Sequence, residues 1–265
     1  MFYSLLVAVL LPDHHSFGPA FLVLIVTKDS LLPKPFLFFL ISVLCAFFGT
    51  SLALFALHFA YRYLVLSRQS KLLQTFQSWK AIYWASLPVA SGFIWASVGW
   101  FLCGPDEETT EFLREDMNKT MGLGIDDFIY LGPYLYDSKG IRVKPFIGFA
   151  IILLTIFISM SVVVTLGFKC YTQIKSLAKL STNQNKYQLL QNQLFYALVA
   201  QTLIPISLMH VPCAILFIFS FFDIDIGVFN GSLSLTIPLY PVLDPLPTVF
   251  MVSNYRAFTL GELKQ

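Results

Sequence analysis

Residues 238–250 read Pro-Leu-Tyr-Pro-Val-Leu-Asp-Pro-Leu-Pro-Thr-Val-Phe, one ionisable side chain and four prolines in a stretch otherwise apolar enough to lie in a bilayer. A carboxylate at membrane depth costs a few kcal/mol or more unless it faces a protein interior, so Asp244 is a functional-site candidate by position. The prolines remove backbone donors, and a membrane helix carries such breaks only where neighbouring helices re-satisfy the freed carbonyls. The stretch therefore reads as a packed, irregular helix within a multi-span bundle.

The rest of the chain agrees. Its 57% hydrophobic and 12% charged content lies far from the ~25% charged of soluble domains, which makes it an integral membrane protein. Apart from Asp244, five windows lack Asp, Glu, Lys and Arg and exceed the ~20 residues a span needs: 36–61, 81–103, 146–168, 194–222 and 228–253.

Charge sets the expected orientation. Arg62, Arg68, Lys71 and Lys80 share one connection with no acid, and Lys169, Lys175, Lys179 and Lys186 share another, so both are expected inside. Segment 104–145 carries Asp106, Glu107, Glu108, Glu111, Glu115, Asp116, Asp126, Asp127 and Asp137 and is expected outside as a solvated face. Two glycosylation sequons, at Asn118 and Asn230, fall in the connections that charge alone places outside. The tail 254–265 is then cytoplasmic.

The first 35 residues fit this scheme least well. Residues 1–11 are apolar but only half a span long, and Pro12-Asp13-His14-His15-Ser16 separates them from a second short apolar run at 20–26. A basic leader region and a small-residue cleavage site are both missing, which argues against a signal peptide. Residues 1–11 read as the outer half of a span and 12–35 as an extracellular segment. The His14-His15 pair reads as loop residues, not metal ligands. Of Cys45, Cys103, Cys170 and Cys213 only Cys103 sits at an outer edge, so no extracellular disulfide is expected. No metal spacing, phosphate-binding glycine loop or nucleophile elbow occurs. Neither an enzyme nor a cofactor is expected.

Three motifs carry a resemblance: His-Phe-Ala-Tyr-Arg-Tyr at 58–63, Leu-Phe-Tyr-Ala-Leu-Val-Ala-Gln-Thr-Leu-Ile-Pro at 194–205, and Leu-Asp-Pro-Leu-Pro-Thr at 243–248 followed by Asn-Tyr-Arg at 254–256. Together they resemble the nematode seven-helix chemoreceptors, serpentine receptor class r, Str group. The resemblance implies an all-α integral membrane protein, a G-protein-coupled-receptor-like seven-helix bundle. Residues 36–61, 81–103, 146–168, 194–222 and 228–253 would be helices three to seven, and 169–193 the cytoplasmic loop between five and six. Residues 1–11 would be part of helix two, so helix one and the rest of helix two would be missing, as in a fragment, a misplaced gene boundary or a degenerate copy. The implied function is chemosensory, or olfactory: a small-molecule odorant is bound, and a heterotrimeric G protein is the signalling partner. Membrane lipid surrounds the bundle, no nucleic acid is involved, and the implied site is the plasma membrane, ciliary in a sensory neuron.

On this reading Arg62 is a candidate cytoplasmic latch between helices three, six and seven; the plain alternative is an interfacial arginine snorkelling to headgroups. Asp244, about 12 Å deep at 1.5 Å per residue from Val252, is a candidate buried hinge. The plain alternative is a carboxyl bonding local backbone freed by Pro245 and Pro247. Pro205 and Pro212 mark a kink in the preceding helix. Ligand-pocket candidates are Trp95, Trp100, Phe149, His210 and Tyr240, each also explicable as bundle packing or aromatic belt. Two other readings remain, a non-signalling receptor remnant and a channel or transporter subunit with Asp244 on an ion path. The proline-Asp-proline pattern has no second copy, which speaks against paired transporter halves.

Asp244→Asn should keep more protein at the cell surface than Asp244→Leu, by about fivefold if one hydrogen bond of ~1 kcal/mol is preserved. Equal surface levels for the two variants would remove a polar structural role.

Overall fold

The computed structural model describes residues 2–28, 30–180, 186–224, 232–243 and 245–251. Helix α1 (Phe2–Leu10) leads into a hairpin, β1 (Asp13–Phe17) and β2 (Ala20–Val26). Helices α2 (Lys34–Leu66), α3 (Ser70–Gln77), α4 (Ala81–Leu102) and α5 (Glu107–Met121) follow. Then come β3 (Phe128–Leu131), a small hairpin of β4 (Tyr136–Asp137) and β5 (Gly140–Ile141), and α6 (Val143–Leu180). Helix α7 (Lys186–Pro205) passes through a π-helical turn (Ile206–His210) into α8 (Val211–Phe221); α9 (Ser232–Leu243) and α10 (Leu246–Met251) close the described chain.

Four helical segments among the described residues are long and apolar enough to cross a membrane: Lys34–Leu66, Ala81–Leu102, Val143–Ser176 and Leu189–Phe221. They coincide with four of the five uncharged windows. Helix α2, at 33 residues, is about 50 Å long and overruns a ~30 Å hydrocarbon core. Phe93, Phe157, Val164 and Phe168 are each about 70% exposed on α4 and α6, a face suited to lipid tails. The fifth window is divided between α9 and α10, where Pro245 and Pro247 supply no backbone donor. Asp244, Asn230 and the tail 252–265 lie outside the described residues.

An all-α fold is corrected at one end of the bundle. Strands β1, β2 and β3 form an antiparallel sheet in that order, with His14 opposite Val23 and Leu24 opposite Tyr130. The apolar run at 20–26, too short to span, is the central strand. A short continuous apolar run is what a strand covered on both faces requires. The hairpin turns through Gly18 and Pro19, with Gly18 at φ +50, a conformation two-residue turns need and glycine adopts freely.

The acidic segment 104–145 is likewise built rather than merely solvated. Asp106 caps α5 by accepting from the Thr109 N–H at 2.8 Å, and Gly122 ends the helix at φ +65. Leu113 and Met117 face Leu22, Leu24, Phe128 and Tyr130 while the glutamates of α5 face out and Asp116 turns in to His15. Arg142 clamps the segment: its guanidinium sits 2.9 Å from Asp106, 3.1 Å from Glu108 and 4.8 Å from the Tyr134 ring centre. Partial burial raises the Asp106 carboxyl, but Thr109 and Arg142 outweigh it and hold the group below its ordinary 3.8. Its contribution to the cap is complete above that pH and lost as pH falls through the lowered value.

Helices α2 and α6 leave the sheet end; α4 and the α7–α8 rod return to it. Helix α2 packs on α4, α6, α7 and α1. Its crossing with α4 is close enough that a Cβ at Gly92 would lie 2.9 Å from the Ala46 carbonyl oxygen, and one at Gly49 2.3 Å from the Trp95 ring. Ser91 Oγ donates to the Gly49 carbonyl at 2.9 Å across the same contact. Gly92→Val should therefore lower stability by about 1–3 kcal/mol through overpacking, seen as a reduced thermal midpoint of the detergent-solubilised protein. An unchanged midpoint would mean the crossing is looser than the backbone distances require.

Candidate functional site

Between the sheet and the helices lies a cavity of about 80 Å³. Its roof comes from Pro12, just before the first hairpin, and His14, Phe21 and Val23 within it, together with Leu131 at the end of β3 and Gly132 and Pro133 after it; its walls are Leu44, Cys45 and Phe48 of α2, Trp95 and Gly99 of α4, Cys103 after it, Ile152 of α6, and Cys213 and Phe217 of α8. Tyr3 of α1 closes the last side. Among the described residues, no Asp, Glu, Lys or Arg lines it.

The aromatic walls are fixed. Phe48 stacks on Trp95 with ring centres 5.1 Å apart, and the Trp95 N–H donates to Thr155 Oγ1 at 3.0 Å. Phe21 meets Phe217 edge-on at 4.6 Å. The roof is held to the bundle by Ser16 Oγ, 2.8 Å from Ser220 Oγ on α8, and by Asp13, whose carboxylate accepts from Ser234 Oγ on α9.

The cavity touches the π turn at two points. The Phe48 ring lies 4.7 Å from His210, and the Tyr3 hydroxyl reaches Met209 Sδ at 3.5 Å. His210 itself is buried, with Nδ1 3.0 Å from the Pro205 carbonyl oxygen, an acceptor at the point where the α-helical ladder changes pitch. Pro205 is fully buried at the end of α7, and Pro212 lies in the first turn of α8, so the break coincides with the two prolines.

At the far end Arg62 is only 8% exposed, and its guanidinium donates to the main-chain carbonyl of Gln191 on α7. A side chain stretched out to headgroups would be exposed instead. The neighbouring Tyr63 ring lies under the Lys169 ammonium at 5.7 Å, and Tyr61 packs on Phe76 of α3.

The remaining site residues lie apart from these. Trp95 is in the cavity wall, whereas Trp100 is 42% exposed against Phe38. Phe149 is buried beside Phe217 and Phe221, below the wall rather than in it. His210 sits behind Phe48. For Tyr240 only the backbone, within α9, is described. Pro245 is exposed just before α10. Asn118 is exposed on α5. All four cysteines are free, and among the described residues no group of three metal-ligating side chains occurs.

With this geometry, the family model for the serpentine-type seven-transmembrane G-protein-coupled chemoreceptor Str matches residues 1–260. The chain belongs to the Str family. It is 34% identical over 225 residues to the G-protein coupled receptor str-217 of Caenorhabditis elegans, covering 81% of this chain and 62% of that one. Serpentine receptor class r-10 of Caenorhabditis briggsae is 33% identical over 223 residues, 80% of this chain and 63% of that one. The G-protein coupled receptor str-33 of Caenorhabditis elegans is 25% identical over 251 residues, 92% of this chain and 72% of that one. The Str chain thus spans a little over three fifths of the length of the first two relatives. No solved structure matches it. As a Str member with four described spans, it is a multi-pass membrane protein, not an enzyme.

Sequence reasoning missed the roof. Tyr3, His14 and Phe21 sit in short pieces that look like fragments of a span or of a loop, and only β pairing with a segment more than a hundred residues away brings them over the cavity. The available signal was Gly18-Pro19 between two strand-length runs.

At matched surface level, Arg62→Ala should shift basal G-protein activity of the Str chain by at least about tenfold, the lower end of the 1.5–3 kcal/mol a charge-assisted hydrogen bond supplies. A loss strictly proportional to surface protein would make Arg62 an anchor only.

Proposed function

We propose that this Str chain is a chemosensory receptor that binds a small, largely apolar environmental chemical in the cavity beneath the sheet and signals through a heterotrimeric G protein. The observation that carries this is the small cavity whose described walls are apolar and aromatic, as ligand sites are lined, in contact with a helical irregularity. Relatives named G-protein coupled receptors support the signalling half.

The mechanism runs along α7. Ligand in the cavity presses on Phe48 and Tyr3, which touch His210 and Met209 in the π turn. That turn sits between α8, tied to the sheet, and α7, tied to Arg62. A ligand favours the active state only if it binds that state more tightly, so the two packings of the π turn must differ in cavity shape. Arg62 holds the resting packing and Asp244 serves as a second polar hinge in the last span. The acid-rich sheet end faces outward and the basic connections, with the C-terminal tail, face the cytoplasm. The membrane is the plasma membrane, ciliary in a sensory neuron.

Expression in cells carrying a G-protein dissociation sensor, screened with volatile compounds, tests the proposal. Agonist-dependent dissociation without ion flux is expected. Cys45→Phe, which puts an aromatic ring into about 80 Å³ of space, should weaken the response at least about tenfold at matched surface level, or ~1.4 kcal/mol. Ion flux without G-protein activation would point to a channel, and neither response to a remnant.

A further inference from the structure

Adjacent histidines at the start of the chain have separate fates, because successive strand side chains point to opposite faces. On one face of β1, His15 and Phe17 meet α5: His15 Nε2 lies 2.5 Å from Asp116 Oδ2, and Phe17 packs on Phe112. On the other face, His14 and Ser16 meet the bundle. Ser16 finds Ser220, while the His14 ring forms part of the cavity roof beside Phe21.

His14 is 6% exposed and its Nδ1 is buried without a hydrogen-bond partner. Such a group destabilises the fold unless something completes it. The other polar side chains of the lining are already engaged or weak: Trp95 donates to Thr155, Tyr3 to Met209 Sδ, and the remainder are thiols. Among the described lining side chains, the unfilled hydrogen-bonding capacity is therefore concentrated on the His14 ring, in an otherwise apolar shell.

We propose that His14 is the specificity-determining residue of this cavity, and that its ligand is a small uncharged molecule bearing one oxygen or nitrogen that hydrogen-bonds to the imidazole. This rests on the cavity being the ligand site. Charged ligands are disfavoured because the described lining residues offer no counter-charge. Burial pulls the His14 pKa down to about 4, against the opposing pull of Asp13, so the ring is neutral at pH 7 and offers either an N–H or a lone pair. Size sets a further limit: an apolar cavity of ~150 Å³ holds a benzene, so one of about 80 Å³ takes a compound of about three or four heavy atoms. Sites built around one buried polar group discriminate strongly against analogues that leave it unpaired.

The test uses three probes of similar shape, acetone, propan-2-ol and 2-methylpropene, on the purified full chain in detergent, with binding read by quenching of tryptophan fluorescence. At least one oxygenated probe is expected to bind at least about tenfold more tightly than the hydrocarbon. His14→Phe, which keeps the ring and removes its nitrogens, should close that gap while leaving hydrocarbon binding within about twofold. Affinity should stay flat from about pH 5.5 to 8, since the ring remains neutral throughout. Equal binding of all three probes by the wild-type protein overturns the role of His14 even if the variant fails to fold, as does a gap that survives His14→Phe. Failure of the wild-type protein to bind any of the three instead overturns the cavity as ligand site, and this inference with it.

Discussion

Strand β2 is apolar along its whole length, and its backbone hydrogen bonds must be made on both edges. That requirement organises the sheet end of the molecule. Pairing with β1 folds the first 26 residues back on themselves, and pairing with β3 draws in a segment from beyond the second long span. Because β3 is fixed, α5 lies over the sheet and Gly132 passes so near the chain that a Cβ there would stand 2.0 Å from the Phe21 carbonyl oxygen. The cavity has a roof only as a result of these pairings. Remove them and Tyr3, His14 and Phe21 have no reason to meet Trp95 and Phe48.

Four long apolar helices were legible in the sequence, and the roof was not. A long uncharged window such as 146–168 has one viable answer in a bilayer, a helix that satisfies its own backbone, so composition alone locates it. The helix exceeds the window at both ends because Lys144 and Lys169 sit at the margins, where charge costs little. A seven-residue apolar run such as 20–26 has several answers, and the one realised depends on Phe128–Leu131, far along the chain. For the site, Trp95 was within reach of positional reasoning because it faces inward on a recognisable span. His14 was not, since its surroundings are supplied by α2, α4 and α8. Arg62 shows an intermediate case: its place at a span end was readable, but its burial against Gln191 required the relative position of α7.

Charge is segregated between the two ends in different ways. At the sheet end acids are spent locally, as a cap for α5 at Asp106, a partner for His15 at Asp116 and ligands for Arg142. At the other end Arg68, Lys71 and Lys80 stand with no acid in their connection. The first arrangement stabilises an ordered cover; the second leaves positive potential available to whatever lies beside it.

The π turn also has a geometric consequence for the rod formed by α7 and α8. An α-helix advances 100° per residue, so one wide turn places everything beyond it out of phase with everything before it. Tightening residues 206–210 to α pitch would swing Cys213, Leu216 and Phe217 around the axis by about that angle while leaving both helices intact. The rod is in effect a crank whose two arms are keyed at different angles, and a change confined to five residues would be read out as rotation at its far end.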